Sequence, residues 1–284
     1  MLKDLKDMQK KLEDSGIESA QIDAESIFCH ILGCDRIDLY AQEFTIKSDK
    51  KRLLESLIKR RSKREPLQHI TGRAYFYGRE FKTAKNVFIP RPETEILVEN
   101  VIKALSSRSD SAERLDILEL CAGSGVAAIT LTKELPFCKI FASDISSEAI
   151  SLALDNAHFH NTQERIDFRI GDLFEPWKNE ALMFDALVCN PPYIKRSMES
   201  VLSPEVRYDP FDALYGGSDG LGFYRRIIKD AHLYLKRKGY IFFECSPDVS
   251  CGAEDIFALN KNFSNIEKVK DYNLKDRVIL AQRI

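Results

Sequence analysis

The sequence lacks the features of a membrane or secreted protein. No stretch approaches the ~18 uninterrupted apolar residues of a membrane helix, and the charged segment 1–16 has no apolar core of the signal-peptide type. The seven cysteines form no C-x-x-C pair, and several lie within apolar runs, where a reduced thiol behaves as a small hydrophobic side chain. These absences predict a cytoplasmic protein with no membrane partner.

A strong excess of either charge is absent too. The 42 Lys and Arg against 44 Asp and Glu leave a net charge of −2, so any nucleic-acid contact would need a local basic patch. The basic run at residues 59–64 could bind phosphate, although a solvated helix face is the favoured interpretation of such a run. We therefore expect no stable nucleic-acid complex. The five histidines form no ligand cluster, so no metal site is predicted.

Hydrophobic periodicity divides the chain into a helical part and an α/β part. Apolar residues recur at helical spacing in residues 24–32 and 53–58. Short aromatic and β-branched stretches at 74–81 and 86–89 then suggest a hairpin. The pattern predicts three parts: a helical bundle at 1–73, a β-hairpin linker at 74–89 and an α/β domain at 90–284, within which 106–113 is a polar connection.

Strands and helices alternate in the last of these parts. Several predicted strands are nearly continuous apolar runs, as buried parallel strands are. The alternation predicts a doubly wound, mostly parallel α/β sheet, and two late strands separated by a short turn predict an antiparallel hairpin at its edge. The predicted strands cover residues 115–121, 139–143, 165–170, 184–189, 240–244, 263–269 and 277–282, and a helix is predicted around 222–235.

Three of these strand ends carry residues suited to an adenosine-containing cofactor. The loop 121–125 opens a helix, whose N-terminus offers free N–H groups, and its glycines permit close backbone approach. Asp144 follows the second strand and could accept hydrogen bonds from both ribose hydroxyls. Asp172 follows the third strand, where a carboxylate could meet an adenine amino group. Asp144 could also act as the N-cap of the next helix.

The most informative motif is Asn190-Pro191-Pro192-Tyr193, directly after the strand 184–189. An amide nitrogen is a poor nucleophile because its lone pair is delocalised, so a site can help by accepting both N–H bonds and aligning that lone pair with a sulfonium methyl group. The Asn190 side-chain oxygen and the Pro191 carbonyl could supply these acceptors. The prolines stiffen the loop and add no donor, and Tyr193 could stack on the flat amide. The motif predicts methyl transfer to a planar amide or amino nitrogen.

Six segments together point to a known family: Glu65-Pro66-Leu67-Gln68, Phe76-Tyr77-Gly78, Phe88-Ile89-Pro90-Arg91-Pro92-Glu93-Thr94-Glu95, Gly123-Ser124-Gly125, Asn190-Pro191-Pro192-Tyr193-Ile194 and Gly216-Gly217-Ser218-Asp219-Gly220-Leu221. With these segments the sequence resembles the release-factor glutamine methyltransferases, the PrmC/HemK family, over nearly its whole length. The Pro-Arg-Pro-Glu-Thr-Glu stretch is the most specific, because Asn-Pro-Pro-Tyr also serves DNA adenine methyltransferases. The resemblance implies a class I S-adenosylmethionine-dependent methyltransferase domain, of Rossmann-like fold, preceded by a small helical domain.

The resemblance also implies a reaction and a set of site residues. S-adenosyl-L-methionine would methylate the glutamine side chain in the Gly-Gly-Gln motif of class 1 peptide chain release factors, leaving S-adenosyl-L-homocysteine. The catalytic residues would be Asn190, Pro191, Pro192 and Tyr193, which would contact the substrate together with Arg91 and Glu93. The cofactor residues would be Glu119, Cys121, Ala122, Gly123, Ser124, Gly125, Asp144, Ile145, Asp172, Leu173 and Asn190.

The sequence departs from the family pattern in two places. Cys121-Ala122 stands where the family usually has Gly-Thr or a similar small pair, and Glu244-Cys245-Ser246-Pro247 replaces a glycine-bearing segment. These departures are expected to alter cofactor-binding geometry and to leave the reaction type unchanged.

The sequence leaves other functions open. The alternative substrates are an amino nitrogen of a nucleic-acid base and a ribosomal-protein glutamine. A non-catalytic α/β scaffold is disfavoured because the Asn-Pro-Pro-Tyr motif is intact. A NAD-dependent oxidoreductase is disfavoured because no group that would serve in hydride transfer stands out.

Overall fold

The computed structural model describes residues 2–42, 44–106 and 114–284. The predicted polar connection at 106–113 falls almost wholly outside these residues. The chain forms two compact units. The first comprises Met1–Arg73, Thr83–Lys85 and Ser203–Tyr208, and the second comprises Ala74–Lys82, Asn86–Leu202 and Asp209–Ile284.

Among its described residues, the first unit contains the α-helices α1 (Leu2–Asp14), α2 (Ala20–Leu32), α3 (Asp38–Ala41), α4 (Ser48–Ser62) and α5 (Leu67–Thr71). Apolar residues at helical spacing on α1, α2 and α4 form one buried cluster, in which Leu12, Ile27, Phe28 and Leu54 are fully buried. The predicted helical region is therefore confirmed, because the periodic positions are the ones that pack together.

Ion pairs hold much of the basic run at residues 59–64. Arg61 is buried, and its guanidinium donates to Asp23 at 2.6 Å and to Glu205 at 3.0 Å. Arg64 also pairs with Glu205, at 2.8 Å. The predicted solvated helix face is therefore wrong for Arg61, because a buried guanidinium requires carboxylate partners.

The second unit contains a seven-stranded sheet and a separate hairpin of β1 (Arg73–Phe76) and β2 (Arg79–Lys82). The strands of the large sheet are β3 (Leu115–Leu120), β4 (Cys138–Asp144), β5 (Ile166–Ile170), β6 (Phe184–Cys189), β7 (Leu235–Glu244), β8 (Phe263–Lys270) and β9 (Asp276–Arg283). Their order is β5-β4-β3-β6-β7-β9-β8. Strands β3 to β7 pair in parallel, whereas β9 is antiparallel to both β7 and β8. The predicted sheet and its C-terminal hairpin are confirmed.

Helices cover both faces of this sheet, as a doubly wound fold requires. They are α6 (Glu93–Ser106), α7 (Val126–Glu134), α8 (Ser147–Phe159), α9 (Phe211–Leu214), α10 (Gly222–Ala231) and α11 (Pro247–Leu259). Alternate strand residues enter opposite cores: Phe242 packs in the cluster with α6, α7 and α8, and Phe243 packs in the cluster with α10 and α11. No helix among the described residues is long and apolar enough to cross a membrane.

Two predicted elements differ from the structure. The strand expected at 86–89 is wrong: Val87 and Ile89 are buried outside any strand, and a short apolar run does not distinguish burial from strand pairing. The hairpin forms entirely between Arg73 and Lys82. The helix predicted to reach residue 235 ends at Ala231, and β7 begins at Leu235.

Candidate active site

The candidate site lies where two parallel strands meet at the centre of the sheet. Strands β3 and β6 are neighbours, and Leu120 pairs in register with Cys189. The loop 121–125 and the Asn190-Pro191-Pro192-Tyr193 motif therefore leave the same edge of the sheet side by side. Chain connections diverge here, since β4 lies beyond β3 and β7 lies beyond β6. Open α/β sheets bind their ligands at such a switch point.

The backbone of the loop 121–125 is tightly folded. Gly125 has a φ of +77° directly before α7, and a Cβ there would lie 3.0 Å from the Cβ of Ala153. Only glycine fits without a shift of its neighbours. Cys121 has a φ of +58°, in the left-handed region that favours glycine. The departure at Cys121 therefore keeps the backbone conformation that a glycine would adopt more easily.

Asp144 joins the ends of three neighbouring strands. One carboxylate oxygen accepts from the backbone N–H of Gly123 at 2.8 Å, and the other accepts from Ser146 at 2.9 Å. Its carbonyl accepts from Gly171 at 2.9 Å. Burial raises the pKa of Asp144, and its backbone hydrogen bonds oppose that shift. The alternative role of Asp144 as an N-cap is wrong, because Ser146 caps α8 by accepting from Ala149 at 3.2 Å.

Glu119 brings a second buried carboxyl group to the end of β3. Burial raises its pKa to about 8, a backbone hydrogen bond from Ala128 opposes the shift, and the charge of Asp144 adds to it. Within the described part of the chain, its Oε2 atom has no hydrogen-bond partner. A buried polar atom without a partner is costly, so a polar ligand at this strand end would satisfy it.

The remaining predicted cofactor residues lie past β4 and β5. Ile145 follows Asp144 and leaves 66% of its surface exposed, so it offers an apolar surface on which a planar base could lie. Asp172 pairs with Arg226 at 2.5 Å and stays partly exposed, whereas Leu173 is buried. Ala122 and Ser124 are also buried, so they contribute chiefly backbone groups to the loop.

Both ends of the Asn-Pro-Pro-Tyr motif are held by other elements. The side-chain nitrogen of Asn190 donates to the hydroxyl of Thr94 on α6 at 3.1 Å. The hydroxyl of Tyr193 donates to Glu244 at the end of β7, also at 3.1 Å. Between them Pro191 and Pro192 are buried. Thr94 and Glu244 were not among the predicted site residues, although both lie in stretches compared with the family.

The glycine-rich stretch 216–221 supports the motif from the other side. A Cβ on Gly216 would lie 2.5 Å from the carbonyl oxygen of Pro192, and one on Gly220 would lie 2.4 Å from that of Tyr193. The N–H of Gly216 also donates to the carbonyl of Ile194 at 3.0 Å. The two family motifs therefore pack against each other.

The Pro-Arg-Pro-Glu-Thr-Glu stretch contacts several other segments of the chain. Arg91 forms an ion pair with the buried carboxylate of Asp209, so its guanidinium is engaged within the protein. Glu95 accepts from the backbone N–H of Tyr77 in the β1–β2 turn at 2.7 Å. Glu93 is half-buried. Burial raises the pKa of Glu244, and the negative charge of Glu93 adds to that shift.

Fold and site together define a class I methyltransferase. The fold is similar to that of a methyltransferase from Pyrococcus furiosus, with a TM-score of 0.52 and 17% identity over 72% of this chain and 89% of that chain. Family profiles match the PrmC N-terminal domain at residues 5–72 and the methyltransferase small domain at residues 80–203. S-adenosyl-L-methionine is the cofactor of this class.

Closer relatives identify the family. The release factor glutamine methyltransferase of Thermodesulfovibrio yellowstonii is 42% identical over 92% of both chains. That of Fusobacterium nucleatum is 38% identical over 96% of this chain and 76% of its own. The chain belongs to the release factor glutamine methyltransferase family.

Proposed function

We propose that this protein transfers the methyl group of S-adenosyl-L-methionine to the glutamine amide nitrogen in the Gly-Gly-Gln motif of class 1 peptide chain release factors. The observation that carries the proposal is the Asn190-Pro191-Pro192-Tyr193 motif at the switch point, with Asn190 anchored through its nitrogen. The names of the relatives at 42% and 38% identity support this substrate.

The motif's own groups account for amide methylation. Because Asn190 uses its Nδ2 atom toward Thr94, its Oδ1 remains to accept one N–H of the substrate amide, and the Pro191 carbonyl accepts the other. Two acceptors fix the plane of the amide and direct the nitrogen lone pair. Tyr193 presents its ring with its hydroxyl anchored by Glu244. The proton leaves the nitrogen after transfer, so no general base acts before it.

The strand ends beside the motif would hold the cofactor. When bound, S-adenosyl-L-methionine supplies a methyl group activated by a sulfonium centre. Asp144 has lone pairs left for the ribose hydroxyls, beyond those used by Gly123 and Ser146. Ile145 would lie against the adenine, and Asp172 would accept from its amino group. The loop 121–125 and Glu119 would face the methionine end.

The two units would divide the work. We assign positioning of the release factor to residues 1–73, a linker role to 74–89 and the chemistry to 90–284. Ion pairing of Arg61 and Arg64 with carboxylates leaves less of the basic run for phosphate, which supports a protein rather than a nucleic-acid substrate. A translation substrate also supports a cytoplasmic location without membrane or stable nucleic-acid partners.

Substitution of Asn190 tests the mechanism. Asn190→Ala is expected to lower the single-turnover methylation rate by about 100-fold, comparable to the loss of a positioned transition-state contact. Cofactor affinity, measured separately by calorimetry, should change far less. Asn190→Asp should retain part of the activity, because a carboxylate still accepts hydrogen bonds. Asn179→Ala, at an exposed position, serves as the control. A near-normal rate for Asn190→Ala would show that the motif is only a structural turn.

A further inference from the structure

One side of α8 contacts both the loop 121–125 and the β1–β2 hairpin. Ala153 and Asn156 lie on this side, one helical turn apart, and His160 follows at the C-terminal end of the helix. We propose that Asn156 is a positioning residue that holds the loop 121–125 ready for the cofactor and couples this loop to the hairpin. The inference rests on the placement of the cofactor in the proposed function, and not on the identity of the methyl acceptor.

The side-chain amide of Asn156 is buried and makes three hydrogen bonds to backbone groups. Its oxygen accepts from the N–H of Lys82 on β2 at 2.8 Å, and its nitrogen donates to the carbonyl of the same residue at 3.2 Å. The nitrogen also donates to the carbonyl of Ser124 at 3.0 Å. A backbone N–H can only donate and a carbonyl can only accept, so these partners determine which way the amide faces.

The bond to Ser124 restrains a loop whose neighbouring peptide groups are also bonded. The N–H of Gly123 donates to a carboxylate oxygen of Asp144 at 2.8 Å, and that of Gly125 donates to a carbonyl of the same loop at 2.9 Å. A loop that is ordered in advance loses less conformational entropy when a ligand binds. Loss of the Asn156 side chain should therefore weaken cofactor binding.

Packing against α8 supports the loop independently of this hydrogen bond. A Cβ on Gly125 would lie 3.0 Å from the Cβ of Ala153, so the backbone of the loop lies directly against the helix. Ala153 is buried and precedes Asn156 by one turn. Two neighbouring turns of α8 thus hold the loop, the first by close packing and the second by the amide.

The same side of α8 also holds β2. The Nε2 atom of His160 donates to the carbonyl of Glu80 at 2.9 Å, and the centroid of its ring lies 4.5 Å from that of Phe81. Phe81 is fully buried in the cluster that includes α6 and α7. The amide of Asn156 bonds both backbone groups of Lys82, as a neighbouring strand would. The hairpin is therefore anchored to the helix that holds the loop.

A side chain shared in this way links cofactor binding to opening of the hairpin. If β2 opens at Lys82, the amide of Asn156 loses the two bonds that orient it and no longer holds the loop. The opened state would then bind the cofactor more weakly. By reciprocity, a bound cofactor must oppose the opening to the same extent. The amide hydrogen of Lys82 should therefore exchange with solvent more slowly when the cofactor site is occupied.

Hydrogen exchange followed by NMR, and calorimetry, both with S-adenosyl-L-homocysteine as the ligand, test this coupling. Asn156→Ala removes all three hydrogen bonds. Asn156→Asp keeps an acceptor for the N–H of Lys82, but an ionised carboxylate cannot donate to Ser124. Thermal stability of each variant is measured alongside.

Asn260 provides a matched control. Its side-chain oxygen accepts from the backbone N–H of Asn262 at 3.0 Å, and its side-chain nitrogen donates to the carbonyl of Ile228 at 2.9 Å. It lies between α11 and the edge strand β8, whereas the loop follows β3 inside the sheet. Asn260→Ala and the amide hydrogen of Asn262 therefore report on the same kind of hydrogen bond without contact with the loop.

The coupling predicts that saturating ligand slows exchange of the Lys82 amide in the wild type by about tenfold or more and leaves the Asn262 amide unchanged. Asn156→Ala should weaken ligand binding by about tenfold, the value of one hydrogen bond, whereas Asn260→Ala should bind as the wild type does. In Asn156→Asp the Lys82 amide should stay protected but no longer respond to the ligand.

Three results would overturn the inference: no slowing of the Lys82 amide in the wild type, equal slowing of the Lys82 and Asn262 amides, or wild-type affinity in a folded Asn156→Ala protein. The first two need only the wild type, so they decide the matter even if both Asn156 variants fail to fold. None of these measurements uses a release factor. Methylation of a different substrate would contradict the proposed function without changing the exchange of Lys82, so the two failures are distinguishable.

Discussion

At the scale of one residue, Cys121 shows that the residue type at a motif position can change while the backbone conformation stays the same. Its φ of +58° is one that a side chain with a Cβ adopts at a cost, and its side chain packs against the apolar cluster that includes Cys189. This packing is what the cysteine gains in exchange for the strain.

Substitution of Cys121 separates these two effects. Cys121→Gly and Cys121→Ala both remove the thiol, but only alanine keeps the Cβ. The glycine variant should be more stable than the alanine variant by about 1 kcal/mol, measured as the free energy of unfolding in denaturant. Equal stabilities would mean that the left-handed conformation carries no strain.

The site positions that the sequence could predict are those at the end of a strand or in the loop that follows it. Asn190, Asp144 and Gly125 each lie at a strand end within a recognisable pattern, and the structure brings their segments to one edge of the sheet. Thr94 could not be found in this way, because its partner Asn190 lies 96 residues further along the chain. Such a contact depends on tertiary packing, which no local pattern encodes.

At the scale of elements, the glycine-rich stretch 216–221 and the Asn-Pro-Pro-Tyr motif pack together. The glycine-rich stretch 216–221 lies against the carbonyls of the Asn-Pro-Pro-Tyr motif so closely that a Cβ at Gly220 would approach Tyr193 to 2.4 Å. A stiff motif supported in this way can keep its two acceptors in place without help from the substrate.

A pair of glycine variants tests this support. Gly220→Ala should lower the free energy of unfolding by roughly 1–3 kcal/mol more than Gly217→Ala, because it adds overpacking. Gly217 also has positive φ, at +95°, but nothing lies within 4 Å of an added Cβ, so it controls for backbone strain. Gly220→Ala should also reduce single-turnover methylation about tenfold. If the two variants match in stability and rate, close packing does not maintain the motif.

At the element scale, buried strands were the easiest to predict. The strand Phe184–Cys189 was predicted with its exact limits because all six residues are buried, so the apolar run and the strand coincide. The start of β7 was missed, since Lys236, Arg237 and Lys238 interrupt the apolar pattern. The strand predicted at 86–89 was wrong for a different reason. Val87 and Ile89 are buried, but the segment does not form a strand.

At the scale of the whole molecule, the chain passes from one unit to the other shortly after the Asn-Pro-Pro-Tyr motif. Ser203–Tyr208 belongs to the helical unit, although the residues on either side belong to the second unit. Glu205 of this segment accepts from the buried Arg61 and from Arg64. Partial burial acts to raise the pKa of Glu205, but its backbone hydrogen bond and these two arginines outweigh that effect and lower it.

Removal of the charge of Glu205 should therefore weaken the helical unit. Glu205→Gln is expected to lower the free energy of unfolding by about 2 kcal/mol at pH 7, the value of hydrogen bonds to a charged group. Because the pKa is lowered in the folded state, this contribution is present above pH 4.5 and lost as the pH falls below it. Glu199→Gln, at an exposed position, is the control. A difference from wild type that persists unchanged in acid would exclude the ion pairs as its source.

The most direct test of the proposed function is mass spectrometry of an intact class 1 release factor after incubation with the protein and S-adenosyl-L-methionine. RNA and DNA are offered in parallel incubations, and digestion of the factor identifies the modified residue. The account predicts one added methyl group on the glutamine of the Gly-Gly-Gln motif and none on nucleic acid. An unmodified glutamine together with methylated nucleic acid, or with a methyl group elsewhere on the factor, would contradict it.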